Sequence, residues 1–347
     1  MSKADILFLN DKEMEELAAG DMNAVMHDVE RSYELLEEGD AVVPGKLVVR
    51  KGDSPADENV WGRINAMPGY LGGEYDALGI KWIGSNPHNY KRGLPRASVT
   101  IILNDSDTKL PICVADGTQT SAMRTGASGG VAIKLLAKTD ASVMAICGAG
   151  AQARTQLMSA MVARPNLATI KVYDIRPEAS EAFIKEMSAK YPQLKFEMCE
   201  TAKEAVADAD IIDCVTLAEE PFIEADWVKP GCLVMNLADF EVTYDVVRKA
   251  AKIYVDNWEM IKHRMISTVA LMWKDGFIKD EDITGSLGAV LKGKVKAREN
   301  DEEIIYYNAV GMGILDLAVC ARAPKYEIHL YQVVSKLTTV LHLLYIY

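Results

Sequence analysis

Apolar residues recur at helical spacing from Asp11 to Glu38, at Met14, Leu17, Met22, Val25, Met26, Val29, Tyr33 and Leu36. The spacing predicts two short helices joined near Gly20. From Lys46 to Leu103 the texture changes to short β-branched runs with turn residues between them: KLVVRKGD, WGRINAMPGYLGG, LGIKWIGSNP and ASVTIILND. These predict strands of an antiparallel or mixed sheet. The segment PICVADGTQTSAMRTGASGGVAIKLLA then passes from a strand into a helix whose Gly and Ala residues permit close packing.

From Ala141 the pattern switches. Apolar runs without alternation, ASVMAIC, TIKVYD, LKFEM, DIIDCVT and GCLVMNLAD, are separated by helical stretches such as EASEAFIKEMSAK and AKEAVAD. Such runs are what a parallel sheet covered on both faces requires. The fold class is therefore α/β, a doubly wound parallel sheet over residues 127–311 beside an α+β domain. That second domain takes residues 1–126 and 312–347, because the helix read in GMGILDLAVCARA is followed only by a short tail and returns to it.

The chain has 347 residues, 38 Lys plus Arg against 50 Asp plus Glu, a formal charge of −12, and 49% hydrophobic residues. That is an ordinary globular composition, and the length fits about two domains. The acidic balance, without a Lys/Arg run, argues against nucleic acid or an anionic membrane surface. Six cysteines stand singly, with no Cys-x-x-Cys pair and no His at zinc-binding spacing, so they read as reduced buried thiols. With an N-terminus lacking a long apolar core, a cytoplasmic protein is expected. The apolar stretch from Val333 to Tyr347, broken by Lys336 and His342, is too short to span a membrane and reads as a docking helix or strand.

The most specific motif is Gly148-Ala149-Gly150-Ala151-Gln152-Ala153, directly after the strand VMAIC and at the start of a helix. A tight turn at Gly148, close backbone approach at Gly150 and the helix N-terminus at Ala151 and Gln152 together suit a pyrophosphate, the signature of a Rossmann dinucleotide site. Asp174 ends the next strand, where a carboxylate accepts the ribose hydroxyls of NAD and repels the 2′-phosphate of NADP. Arg176, two residues on, leaves NADP open as the alternative. Thr216, after DIIDCV, and Thr125 are further candidates for the cofactor side.

A nicotinamide enzyme needs a substrate anchor and an acid or base. Lys81 in LGIKWIG and Arg124 in SAMRTGASGG are cations set among apolar and small residues, and Lys46 and Arg63 complete a basic set. Asp239, just past GCLVMNLA, stands at the end of a parallel strand, where a carboxylate can act as general base. The five histidines form no cluster, so neither a metal site nor a His relay is indicated.

In combination, MPGYLGG, LGIKWIGSNPHN with KRGLP, ICVADGTQTSAMRTGASGGVAIKLLA and ICGAGAQARTQ resemble the ornithine cyclodeaminase and mu-crystallin family, from about residue 5 to residue 322. That family also contains a type of alanine dehydrogenase, ketimine reductases and an opine-like amino-acid dehydrogenase. The resemblance implies a homodimer through the first domain, which would then serve substrate binding and dimerisation. It implies that Lys81 contacts the substrate carboxylate and shuttles protons, that Arg124 binds that carboxylate, and that Asp239 activates water or deprotonates the amine. Lys46 stands where the cyclodeaminase has an arginine and the alanine dehydrogenase a lysine.

The chain departs from the cyclodeaminase at Asn65-Ala66-Met67-Pro68, where a glutamate would precede Met-Pro. Asn65 and Arg63 leave room instead for a substrate with a second carboxylate. After Asp239 it reads Phe240-Glu241-Val242-Thr243 rather than a Gly-Pro-Gly-Lys turn, and the tail from Pro324 is atypical. The expected function is removal of a hydride from the α-carbon of an L-amino acid to give an imine, with NAD as cofactor, as in conversion of ornithine to proline and ammonia. The alternatives are an amino-acid dehydrogenase or imine reductase of the same family and, in another class, a non-catalytic nucleotide-dependent binding protein.

Overall fold

The computed structural model describes residues 6–51 and 62–324 and divides the chain into two compact units, Met1–Asp21, Asp40–Ser121 and Met312–Tyr347 against Met22–Gly39 and Ala122–Gly311. The predicted docking segment 333–347 and Trp61 of the second strand run lie outside the described residues. Among the described residues no helix is long and apolar enough to cross a membrane.

The first unit holds one mixed sheet built from β1 (Leu7–Leu9), β2 (Ala41–Val42), β3 (Leu47–Val49), β4 (Arg63–Leu71), β5 (Ala77–Ser85), β6 (Ala97–Asn104) and β7 (Pro111–Asp116). The order is β1-β7-β6-β5-β4-β2, with β3 also on β4. Only β1 runs parallel to its neighbour, β7; the other pairs are antiparallel. Side chains alternate across such strands. One face therefore gathers Met67, Leu71, Ile101, Leu103, Cys113 and Ala115, all buried. The Gly313–Cys320 helix, itself wholly buried, packs on β4, β5 and β6. The opposite face carries Phe8, Leu47, Val49, Trp82 and Ile112, large apolar side chains left exposed.

The second unit is an eight-stranded, all-parallel sheet: β8 (Val143–Cys147), β9 (Thr169–Tyr173), β10 (Lys195–Met198), β11 (Ile211–Cys214), β12 (Leu233–Asn236), β13 (Lys252–Val255), β14 (Gly285–Ser286) and β15 (Ile305–Asn308). Its order, β10-β9-β8-β11-β12-β15-β13-β14, reverses direction between β8 and β11. At such a switch point the loops beyond the strand C-termini splay apart and leave a crevice for a ligand. The sequence reading named five of these strands; β13, β14 and β15 are additional.

One boundary differs from the sequence reading. The Met22–Glu38 helix, placed above within residues 1–126, belongs to the second unit, as do residues 122–126. Its stripe of Val25, Met26, Val29 and Tyr33 is buried, and it packs on the Ala151–Ala163 and Leu287–Leu291 helices. Tyr33 Oη lies 2.6 Å from Ser128 Oγ, and Lys134 and Lys292 pair with its Glu30 and Glu38, each at 2.7 Å. Amphipathic periodicity says that a face is buried without saying against what.

Candidate functional site

In the second unit the chain leaves β8 at Cys147 and turns at Gly148, whose φ of +100° belongs to glycine. A Cβ there would also stand 2.9 Å from the Val215 carbonyl oxygen. Gly150 is the N-cap of the Ala151–Ala163 helix and offers no side chain to the helix N–H groups. A Cβ at Gly150 would meet nothing within 4 Å, so the turn opens onto free space at a helix N-terminus. Unsatisfied N–H groups and the helix dipole make such a place favourable for a phosphate. Ala151 is exposed and Gln152 half-buried in this first turn.

Asp174 stands behind the turn. Its Oδ2 accepts from Ala149 N at 2.8 Å and its Oδ1 from Arg176 N at 2.9 Å. Each oxygen keeps a further lone pair. The Arg176 side chain is 58% exposed, with Nε 3.7 Å from Asp174 Oδ1. Arg154, which sequence reasoning missed, reaches back from the helix: its Nη1 donates to the carbonyls of Ala149 (3.1 Å) and Gly150 (2.9 Å), while Nε pairs with Glu186 at 2.7 Å. An arginine four residues after a glycine turn was the available signal.

Thr216 follows β11. Its backbone N and Oγ1 both donate to Glu241 Oε1, at 2.7 and 2.8 Å, and Asn236 Nδ2 donates to Glu241 Oε2. Burial pushes the Glu241 carboxyl up to about 7, against the pull of the two Thr216 bonds and with the help of the nearby Asp239 charge. Asp239 itself is 25% exposed and forms an ion pair with Arg264, Oδ1 to Nη2 2.7 Å. Sequence reasoning singled out Asp239; the buried, shifted carboxylate is Glu241, two residues on.

Arg124 is buried in the Thr118–Leu136 helix. Its guanidinium fills the space over Gly311, where a Cβ would come within 2.5 Å of Nη1. The Gly311 turn, φ +67°, is held by the buried Asp256 carboxylate, which accepts from Val310 N at 3.0 Å and Gly311 N at 2.7 Å. Thr125 is half-buried, and its carbonyl accepts from Gln156 Nε2 at 3.1 Å.

In the first unit, cross-strand register pairs Met67 with Lys81, Asn65 with Ile83 and Arg63 with Ser85. Arg63, Asn65 and Lys81 therefore share one sheet face, the face that the Gly313–Cys320 helix covers. Lys81 is 1% exposed; its Nζ lies 2.8 Å from Asp316 Oδ1 and donates to Ser121 Oγ at 2.7 Å. Asn65 Oδ1 is buried and accepts no hydrogen bond among the described residues. Lys46, just before β3, and Arg63 are half-buried.

The model of the ornithine cyclodeaminase/mu-crystallin family matches residues 6–323. The N-((2S)-2-amino-2-carboxyethyl)-L-glutamate dehydrogenase of Staphylococcus aureus is 33% identical over 90% of this chain and 93% of its own length. The Thermococcus litoralis Δ1-pyrroline-2-carboxylate reductase, solved with NADH and L-proline, is 34% identical with a TM-score of 0.86, covering 93% of this chain and 98% of that one. An archaeal alanine dehydrogenase dimer with bound NAD is 31% identical with a TM-score of 0.83, covering 94% and 97%. On the match over nearly its whole length, the chain belongs to the ornithine cyclodeaminase/mu-crystallin family.

Proposed function

We propose that the protein is an NAD-dependent oxidoreductase that interconverts an L-α-amino acid and its α-imine, acting as a dehydrogenase or imine reductase. The observation that carries this reading is the uncapped helix N-terminus at Gly148–Ala151, set at the switch point of a parallel sheet with Asp174 behind it. These residues fit a dinucleotide: Gly148, Gly150, Ala151 and Gln152 surround the pyrophosphate, and Asp174 uses its remaining lone pairs for the ribose hydroxyls. Its carboxylate favours NAD over NADP, whose 2′-phosphate would meet like charge. Thr216, fixed by Glu241, and Thr125 complete the cofactor side. Bound NAD supplies the acceptor or donor of the hydride at the substrate α-carbon.

The chain's own groups do the rest. Arg124 clamps the α-carboxylate with its planar fork, a geometry that lysine cannot reproduce. By the family resemblance, Lys81 contacts the substrate carboxylate and exchanges a proton with the substrate nitrogen. Asp239 serves as base for the amine or for attacking water. Lys46, Arg63 and Asn65 face the distal end of the substrate. Arg63 on the same sheet face, with an uncharged amide rather than a carboxylate at position 65, suits a second carboxylate better than the side-chain ammonium of ornithine. The Staphylococcus aureus relative, named for a substrate rich in carboxylates, supports the same preference.

A second copy of the chain would cover the apolar sheet face of the first unit, giving a homodimer. Incubation with NAD and a panel of L-amino acids, recording NADH, ammonia and cyclic products, tests the proposal. NADH released with an acidic amino acid supports it. Proline and ammonia from ornithine without net NADH would establish a cyclodeaminase, and nucleotide binding without turnover a binding protein.

A further inference from the structure

The Gly313–Cys320 helix reads GILDLAVC, and every one of its residues is buried. Asp316 is its single charge, at 0% side-chain exposure, and an isolated carboxylate in such surroundings is costly without a counter-ion. The counter-ion is Lys81, in the middle of β5 on the face this helix covers, with Nζ 2.8 Å from Asp316 Oδ1. Ser121 Oγ, at 2.7 Å, fixes the ammonium from a second direction. An ion pair this deep adds little net stability over apolar replacements. Its consequence lies in the charge and the direction it imposes on the lysine.

We infer that Asp316 is a positioning residue for the reaction, keeping the Lys81 ammonium charged and aimed; this rests on the proposed reading that Lys81 acts on the substrate carboxylate and nitrogen. A buried lysine without an anion beside it gives up its proton at far lower pH than in water, because desolvation penalises the cation. Among the described residues, the carboxylate placed against Lys81 is that of Asp316. Its register neighbours are Met67 on β4 and Ile101 on β6, neither of them titratable, and Arg63 farther along β4 carries the same sign. The free Cys113 and Cys320 thiols hydrogen-bond to each other; that bond, with burial, holds the Cys320 thiol well above its usual range and lowers that of Cys113. Glu15 and Glu16, in the turn that also packs on this helix, are exposed.

The test compares Lys81→Met, Asp316→Asn and Asp316→Glu by kcat, KM and the pH profile of kcat/KM, with NADH affinity measured by fluorescence. For Asp316→Asn the expected result is a fall in kcat of about 100-fold, in the range of losing a well-placed proton-transfer group, with unchanged NADH affinity. Its alkaline limb should move down by about one pH unit or more, since removing the anion favours the neutral amine. Asp316→Glu should return the limb toward the wild-type position, which a merely structural role would not do. An inactive Lys81→Met enzyme beside an Asp316→Asn enzyme of wild-type kcat and pH profile overturns this inference alone. A fully active Lys81→Met enzyme overturns the reading of Lys81 and the inference with it. If Asp316→Asn does not fold, nitrogen-15 lysine NMR of the wild type decides: a Lys81 Nζ that stays cationic to about pH 9 supports the pairing, and titration below that overturns it.

Discussion

Replacing Gly311 by alanine probes the proposed Arg124 anchor without touching the arginine. The new methyl group would sit 2.5 Å from Arg124 Nη1, about 1 Å short of van der Waals contact. The turn cannot easily retreat, because Asp256 holds the N–H groups of Val310 and Gly311. The guanidinium must therefore move by about 1 Å, and a misplacement of that size lowers catalysis by about 100-fold. Alanine at φ +67° adds a backbone cost of about 1–2 kcal/mol. Gly293 supplies the control: its φ is +68°, but a Cβ there meets nothing within 4 Å. Gly293→Ala should lose the backbone increment alone and keep full activity. Steady-state kinetics at saturating NADH, with urea denaturation of all three proteins, should give a kcat/KM about 100-fold lower for Gly311→Ala alone, with NADH affinity unchanged. Equal kcat/KM for the two variants would refute Arg124 as the carboxylate anchor.

Asp174→Ala should weaken NAD binding and narrow its advantage over NADP, read by calorimetric titration; NADP bound more tightly than NAD by the wild type would reassign the site to Arg176. Asp213 is fully buried in β11, and among the described residues neither of its oxygens has a hydrogen-bond partner. Burial and the Glu241 charge hold its carboxyl well above the ordinary 3.8, so the folded protein keeps it neutral. Removing that unsatisfied group in Asp213→Val should stabilise the protein by about 1–3 kcal/mol, seen in urea melts. Because the unfolded chain ionises this group first, wild-type stability should fall as pH rises above about 4, and the variant should show a shallower fall. Trp82→Glu, on the exposed sheet face of the first unit, should convert the proposed dimer into monomers by light scattering; a dimer unchanged by the substitution would place the interface elsewhere.

Local backbone geometry was legible in the sequence. The glycine turn, the helix after it and Asp174 lie within one short strand-turn-helix-strand unit, where each residue type answers a backbone requirement. The unalternating apolar runs likewise fixed the parallel sheet. What depends on packing between distant segments was not legible. The Met22–Glu38 helix announces a buried face but not its neighbours. Glu241 looks like an ordinary acid after a strand, although Thr216 and Asn236 enclose it. Asp213 in IIDC and Asp316 in GILDLAVC are single acids inside apolar runs, which is a readable signal of buried charge. Only the fold tells them apart: the first has no counter-ion among the described residues, and the second has Lys81.

Deuteride transfer tests the central claim most directly. The protein is incubated with NADH carrying deuterium at the transferable position and with cyclic and acyclic α-imino acids, and the products are analysed by mass spectrometry and NMR. The expected result is consumption of the reduced cofactor and one deuterium per product, bonded to the α-carbon of an L-amino acid. Cofactor consumed without α-deuterium, or no consumption across imines that carry one and two carboxylates, would contradict it.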